Sequence, residues 1–134
     1  MINFFSENSF NLENQSYHIH KLKNLIINEG YIVGNINYIF CDDHYLLEIN
    51  KQYLNHDDYT DIISFNYLNN NTINGDIFIS TERVKENAIK YQSEFNNELQ
   101  RVMFHGLLHF CGYNDKSEKE KIIMRQKEDF YLSF

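Results

Sequence analysis

Two histidines four residues apart, His105 and His109, are the side chains in this sequence best placed to do chemistry. On a helix that spacing puts both rings on one face, one turn apart, so the imidazoles can share an ion. The segment reads His105-Gly106-Leu107-Leu108-His109-Phe110-Cys111-Gly112-Tyr113-Asn114-Asp115. Gly112 can take the left-handed conformation that ends a helix, and the chain can then turn back to bring Asp115 to the same ion. Two imidazoles and one carboxylate leave the fourth position of a tetrahedral zinc open, the arrangement of a catalytic rather than a structural site. The competing reading is a pair of unrelated histidines. The glycine and the third donor make the set more specific than a bare pair. Cys111 lies on another helix face and is expected in the core, not on the ion.

Metzincin peptidases use the same spacing in H-E-x-x-H, where the Glu is the general base that activates water. Here that position is Gly106, which has no side chain to accept a proton. The site can hold a metal and polarise water but lacks the peptidase base. A metallopeptidase is therefore the alternative reading and hydrolysis of another substrate the leading one.

The histidines need a helix to carry them. Ser93 can cap one bearing Leu99, Val102, Met103, Phe104, Leu107 and Leu108. Thr81 can cap the helix before it, with Val84, Ala88 and Tyr91. Ser117 and Glu120 form a capping box for a final amphipathic helix, whose Lys116, Lys119, Lys121, Arg125 and Lys127 read as a solvated face. Upstream, residues 2–5 suit a short strand. Residues 17–29 have helical spacing and stop at Gly30. Residues 35–41 alternate as a strand with Ile36, Tyr38 and Phe40 on one side. Asp42 or Asp43 can cap a helix with Tyr45, Leu46, Ile49 and Tyr53 on one face. Residues 62–68 and 76–80 read as strands joined by an Asn-rich turn into a hairpin. The order implies an α+β (mixed α/β) domain, a small mixed sheet of about four strands packed by about five helices, in the manner of zinc hydrolases.

The 134 residues, 43% hydrophobic and 16% aromatic, suit one domain over 1–134 with a real core and no long disorder. A net charge of −7 does not announce a nucleic-acid binder, since phosphate contacts need clustered Lys and Arg. The two cysteines, Cys41 and Cys111, cannot make a disulfide framework and read as buried thiols in a reducing compartment. With neither a signal-peptide pattern nor an apolar run of about 18 residues, the expectation is a soluble, cytoplasmic protein without a membrane partner.

The residues quoted so far, with two further segments, resemble the YbeY family of bacterial endoribonucleases. The family signature H-G-x-L-H-L-x-G-Y-D-H is matched from His105 to Asp115. A second signature, Asn, Tyr-Arg, Asp and then T-[DN]-V-L-S-F-P, is similar to Asn50, Tyr53-Leu54, Asp57 or Asp58, and Thr60-Asp61-Ile62-Ile63-Ser64-Phe65-Asn66. A third, G-D-I, is Gly75-Asp76-Ile77. The order and spacing hold from Asn50 to Asp115. The resemblance implies one zinc per chain held by three side chains, a cleft between helix and sheet, and cleavage of single-stranded RNA. It further implies maturation of the 3′ end of small-subunit ribosomal RNA and ribosome quality control, with ribosomal RNA and the ribosome as partners and DNA not expected. A non-catalytic ribosome-associated factor with a structural metal is the third reading.

Three departures from the pattern matter. Asp115 stands where the family has a third His, Leu54 where it has Arg, and Asn66 where it has Pro. A positive group near the scissile phosphate is thereby lost, and His56 and Arg101 are the substitutes at hand. Read alone, Asp61 caps a turn at a strand start and Ser64 faces solvent; the resemblance instead implies cleft-facing roles for Asp61, Ser64 and Asp76. The base or nucleophile is unassigned, with Asp61, Ser64 and His56 as candidates.

Overall fold

A computed structural model describes residues 1–55, 59–67 and 69–134. The elements run β1 (Ile2–Ser6), α1 (Gln15–Asn28), β2 (Ile32–Cys41), α2 (Asp43–Leu54), β3 (Ile62–Asn66), β4 (Thr72–Ser80), α3 (Thr81–Lys90), α4 (Phe95–Phe110) and α5 (Glu118–Ser133). The four strands form one mixed sheet in the order β1-β2-β4-β3, with β1, β2 and β4 parallel and β3 antiparallel to β4. This is the α+β architecture expected, including the β3–β4 hairpin.

Alternation decides which side of the sheet is dry. Ile36, Tyr38 and Phe40 of β2 and Ile77 and Ile79 of β4 are fully buried in one cluster with Leu22, Leu25 and Ile26 of α1 and the apolar residues of α4. On the opposite side α2 covers a smaller cluster of Cys41, Leu46, Ile49 and Ile63. Helix α4 is buried on most of its circumference, from Leu99 through Phe110, as expected for a helix apolar nearly all round. Its backbone is pinned from the sheet by the Tyr38 hydroxyl, which donates to the Met103 carbonyl at 2.9 Å. The histidine pair therefore rides on the most extensively buried helix among the described residues.

Local signals were correct where one side chain had one task. Asp42 caps α2, its carboxylate accepting from Tyr45 N–H at 2.8 Å. Ser117 and Glu120 form the capping box of α5. Gly30 and Gly112 take positive φ. Two caps differ from expectation. Ser80, not Thr81, caps α3: its hydroxyl accepts from Arg83 N–H and donates to Asp43, while the Thr81 hydroxyl accepts from Asn8 at 2.9 Å. Ser93 does not cap α4; its N–H closes the end of α3 on the Ala88 carbonyl, and Glu94 takes the cap position without a side-chain bond. Strand β4 starts at Thr72, four residues before Asp76, because β2 extends back to Ile32 and pairs with it there. Among the described residues no helix is long and apolar enough to cross a membrane.

Candidate metal centre

Helix α4 presents His105 and His109 side by side, with ring centroids 4.5 Å apart. Past Phe110 the chain turns through Cys111 and Gly112 (φ 98°), the N–H of Tyr113 bonding back to the Leu108 carbonyl at 3.0 Å. The returning loop sets the Asp115 carboxylate 3.1 Å from His105 Nε2 and 3.4 Å from His109 Nε2. The two Nε2 atoms are themselves 2.9 Å apart. A tetrahedral ion with bonds of about 2.0–2.2 Å needs donor atoms roughly 3.3–3.6 Å apart. The triangle is therefore close to the size of the ion, and these three residues could hold one.

The chemistry of the donors fits a cation for a second reason. His105 Nδ1 lies 2.7 Å from Glu128 Oε2, and His109 Nδ1 lies 2.9 Å from the Tyr113 carbonyl. Both acceptors are oxygens, so each Nδ1 carries the proton and each Nε2 of the neutral ring offers a lone pair to the same point. Two lone pairs and a carboxylate facing one another need a positive charge between them. Burial alone would lower the His105 pKa, but the bond to Glu128 and the charges of Glu128 and Asp115 outweigh it, and the net direction is up. His109 moves the other way, lowered by burial and then by His105.

Both outer contacts are braced. Glu128 on α5 is buried, and Arg101 on α4 reaches it at 3.0 Å while binding Asp129 at 2.7 Å. The Tyr113 hydroxyl donates to Glu29 at 2.7 Å, and the same carboxylate takes bonds from Lys127 Nζ at 3.2 Å and from the Tyr131 hydroxyl. Burial raises the Glu29 pKa, but the bonds from Tyr131, Tyr113 and Lys127 together carry it below the ordinary carboxylate range. The carbonyl that orients His109 is thus fixed by a carboxylate from the end of α1.

Gly106, between the histidines, faces away from this centre. A Cβ there would lie 3.0 Å from the Cδ1 atoms of both Ile62 and Ile77. The glycine is where α4 meets the sheet, and a side chain at this position points into the core rather than at the ion. Cys111 is buried as expected, and burial pushes its thiol up to about 12, unlike a thiolate ligand.

The other expectations divide. Asp61 lines a cleft of about 590 Å³ that opens on His105 and Asp115, and Asn87 Nδ2 is 3.5 Å from its carboxylate. Burial raises the Asp61 pKa. Ser64 is half-buried on β3, paired with Ile77, and is not among the residues lining that cleft. Asp76 is on the wrong side of the sheet: it alternates with Ile77, which packs on α4, and accepts from Asn37 at 3.0 Å and Tyr67 at 2.8 Å. Arg101 lines the cleft but is committed to Glu128 and Asp129, so it does not replace the missing arginine as a free cation. His56, Asp57 and Asp58 lie outside the described residues. Sequence reasoning missed Glu128, and it missed that α5 forms a wall of the cleft.

A mixed sheet backed by a buried helix, with two imidazoles and a carboxylate converging beside a polar cleft, has the build of a small metal-site hydrolase. The chain belongs to the YbeY endoribonuclease family: the family's sequence model, described as Endoribonuclease YbeY, matches residues 3–134. It is 53% identical over 129 residues to a protein from Flavobacterium psychrophilum named Endoribonuclease YbeY, covering 96% of this chain and 92% of that one. It is 45% identical over 134 residues to the protein of that name from Karelsulcia muelleri, covering 100% and 95%. A solution structure of a Thermotoga maritima protein superposes with a TM-score of 0.70 at 26% identity, over 99% of this chain and 87% of that one.

Proposed function

We infer that this protein is a single-domain, zinc-dependent endoribonuclease of the cytoplasm that cuts single-stranded RNA and matures small-subunit ribosomal RNA on the ribosome. Membership of the family supports the reaction. The observation that carries the metal is the facing pair of Nε2 lone pairs with Asp115 beside them, each ring already tied down through Nδ1. Three donors next to an open cleft suit a catalytic ion better than a closed structural one. When bound, zinc supplies Lewis acidity at the scissile phosphate. His105, His109 and Asp115 hold it. Glu128 and the Tyr113 carbonyl keep both imidazoles in the tautomer that can bind. Asp61, half-buried in the wall of the same cleft, is the candidate to receive the proton of the attacking group. Ser64 and His56 rank behind it. Gly106 buries no base near the ion, so the peptidase reading gains nothing from the geometry.

Metal-loaded protein is expected to cleave a single-stranded RNA, to spare the same sequence as DNA, and to lose all cleavage when a chelator removes the metal or in His109→Ala. Cleavage that survives in metal-free His109→Ala would overturn the assignment. Asp61→Asn is expected to lower kcat while metal content stays at one ion per chain. Unchanged kcat in that variant would remove Asp61 as the proton acceptor.

A further inference from the structure

The cleft beside the candidate metal centre has a floor and two walls. Glu98, Arg101 and His105 lie along one stripe of α4, a run of about 10 Å at 1.5 Å per residue. Tyr91, at the end of α3, stands on one side. Lys121 and Arg125, one turn apart on α5, stand on the other. The remaining charges in the cleft include the carboxylates Asp61, Glu98 and Glu128, a hostile surface for a polyanion.

The three cations of the cleft are not equally available. Arg101 is held by two short ion pairs. Lys121 makes a 3.6 Å pair with Glu118, which is 91% exposed. Arg125 reaches Glu128 only at 3.9 Å, and Glu128 already holds Arg101 and His105. A long pair made by a solvent-facing cation contributes little, whether its partner is exposed like Glu118 or already shared like Glu128, and is readily exchanged for a phosphate. Both side chains are more than half exposed, at 57% and 58%. Leu54 at the end of α2, where the resemblance led one to expect an arginine, offers no charge.

We propose that Lys121 and Arg125 form a phosphate-binding subsite on the α5 wall, gripping the strand beside the bond that is cut, with Tyr91 as a stacking surface for a base. The subsite rests on the endoribonuclease reading and names how the strand is held. It places the positive charge in this acidic protein where a strand entering the cleft must pass, and an aromatic face beside a basic wall favours unpaired bases over duplex.

The test compares the wild type with K121Q/R125Q and with K85Q/K119Q, which removes the same charge from exposed sites outside the cleft. Binding of a fluorescent single strand with 2′-O-methyl sugars is followed by anisotropy across salt concentrations, and cleavage of the RNA gives KM and kcat. Each lost phosphate contact flattens the log–log salt slope by about 0.7, so K121Q/R125Q is expected to be shallower by about 1.4 with a raised KM and kcat nearly unchanged. The control pair should keep the wild-type slope, and Tyr91→Leu should weaken binding without altering it. Wild-type cleavage with equal slopes and KM in the two double variants would overturn the subsite alone. A wild type that neither binds nor cleaves the strand would overturn the endoribonuclease reading and the subsite with it. All five substituted positions are at the surface, and matching thermal melts confirm that folding is not what changed.

Discussion

Replacing Glu128 by alanine is expected to weaken metal binding about 10–100-fold and to destabilise the metal-free protein by about 3–5 kcal/mol. Two losses coincide at this one side chain. His105 loses the acceptor that holds its Nδ1 proton at 2.7 Å, so its ring can rotate and change tautomer, and Nε2 is no longer committed to the ion. Arg101, with its side chain 19% exposed, loses its 3.0 Å partner and keeps only the exposed Asp129. A largely buried guanidinium left with half its bonds costs more than the intact pair contributed.

Glu128→Gln separates the two effects. The amide oxygen can still accept from His105, so metal affinity should fall less than in the alanine variant. The charge facing Arg101 is gone in both, so most of the stability loss should remain. Affinity is read by competition with a chromophoric chelator, and stability from urea unfolding of the metal-free protein. Wild-type affinity in Glu128→Ala would show that the carboxylate does not orient His105.

Much of the centre was legible because it is local. A spacing of four on an apolar helix, a glycine three residues on and an aspartate after it name the histidine face, the stop and the return without any knowledge of the sheet. Glu128 was not legible in the same way, since it reaches the site from a helix 23 residues away in sequence. Its signal was nonetheless present. Met124, Glu128 and Tyr131 are the buried positions of α5, at spacings of four and three, so a carboxylate sits in the apolar stripe of an otherwise solvated helix. A charge in that stripe needs a buried partner.

Asp76 teaches the converse. Its place in a recognisable G-D-I segment suggested the cleft, yet strict alternation puts it opposite Ile77, and Ile77 was bound to face the core. The caps of α3 and α4 escaped because the expected residues are engaged elsewhere: the Thr81 hydroxyl accepts from Asn8, and the Ser93 N–H closes the end of α3 on the Ala88 carbonyl. The first of these engagements depends on tertiary packing, and the second is local to the end of α3. The loosely paired cations of the cleft, Lys121 and Arg125, could not be read at all before α5 was placed against α4.

Gly106→Glu, which writes the peptidase pattern H-E-x-x-H into the chain, is expected to unfold the protein rather than create a peptidase. The reason lies in where the residue points. Its Cβ would sit 3.0 Å from Ile62 Cδ1 and Ile77 Cδ1 and 3.1 Å from Ile77 Cγ2, and the rest of the side chain would have to continue into the α4–sheet interface. Overpacking of this kind costs about 1–3 kcal/mol, and an unpaired carboxylate there, even neutralised, adds several more. The sum is comparable with the 5–15 kcal/mol that holds a typical domain together. Gly106→Ala calibrates the steric part. Alanine gains about 1 kcal/mol of helix propensity, which offsets part of the cost of pressing a methyl group between two isoleucines. It should therefore fold, with stability within about 2 kcal/mol of the wild type. Circular dichroism and urea titration distinguish the variants. A folded Gly106→Glu protein that hydrolyses casein would show that position 106 reaches the ion, and with it that the metal centre is built differently from the one described.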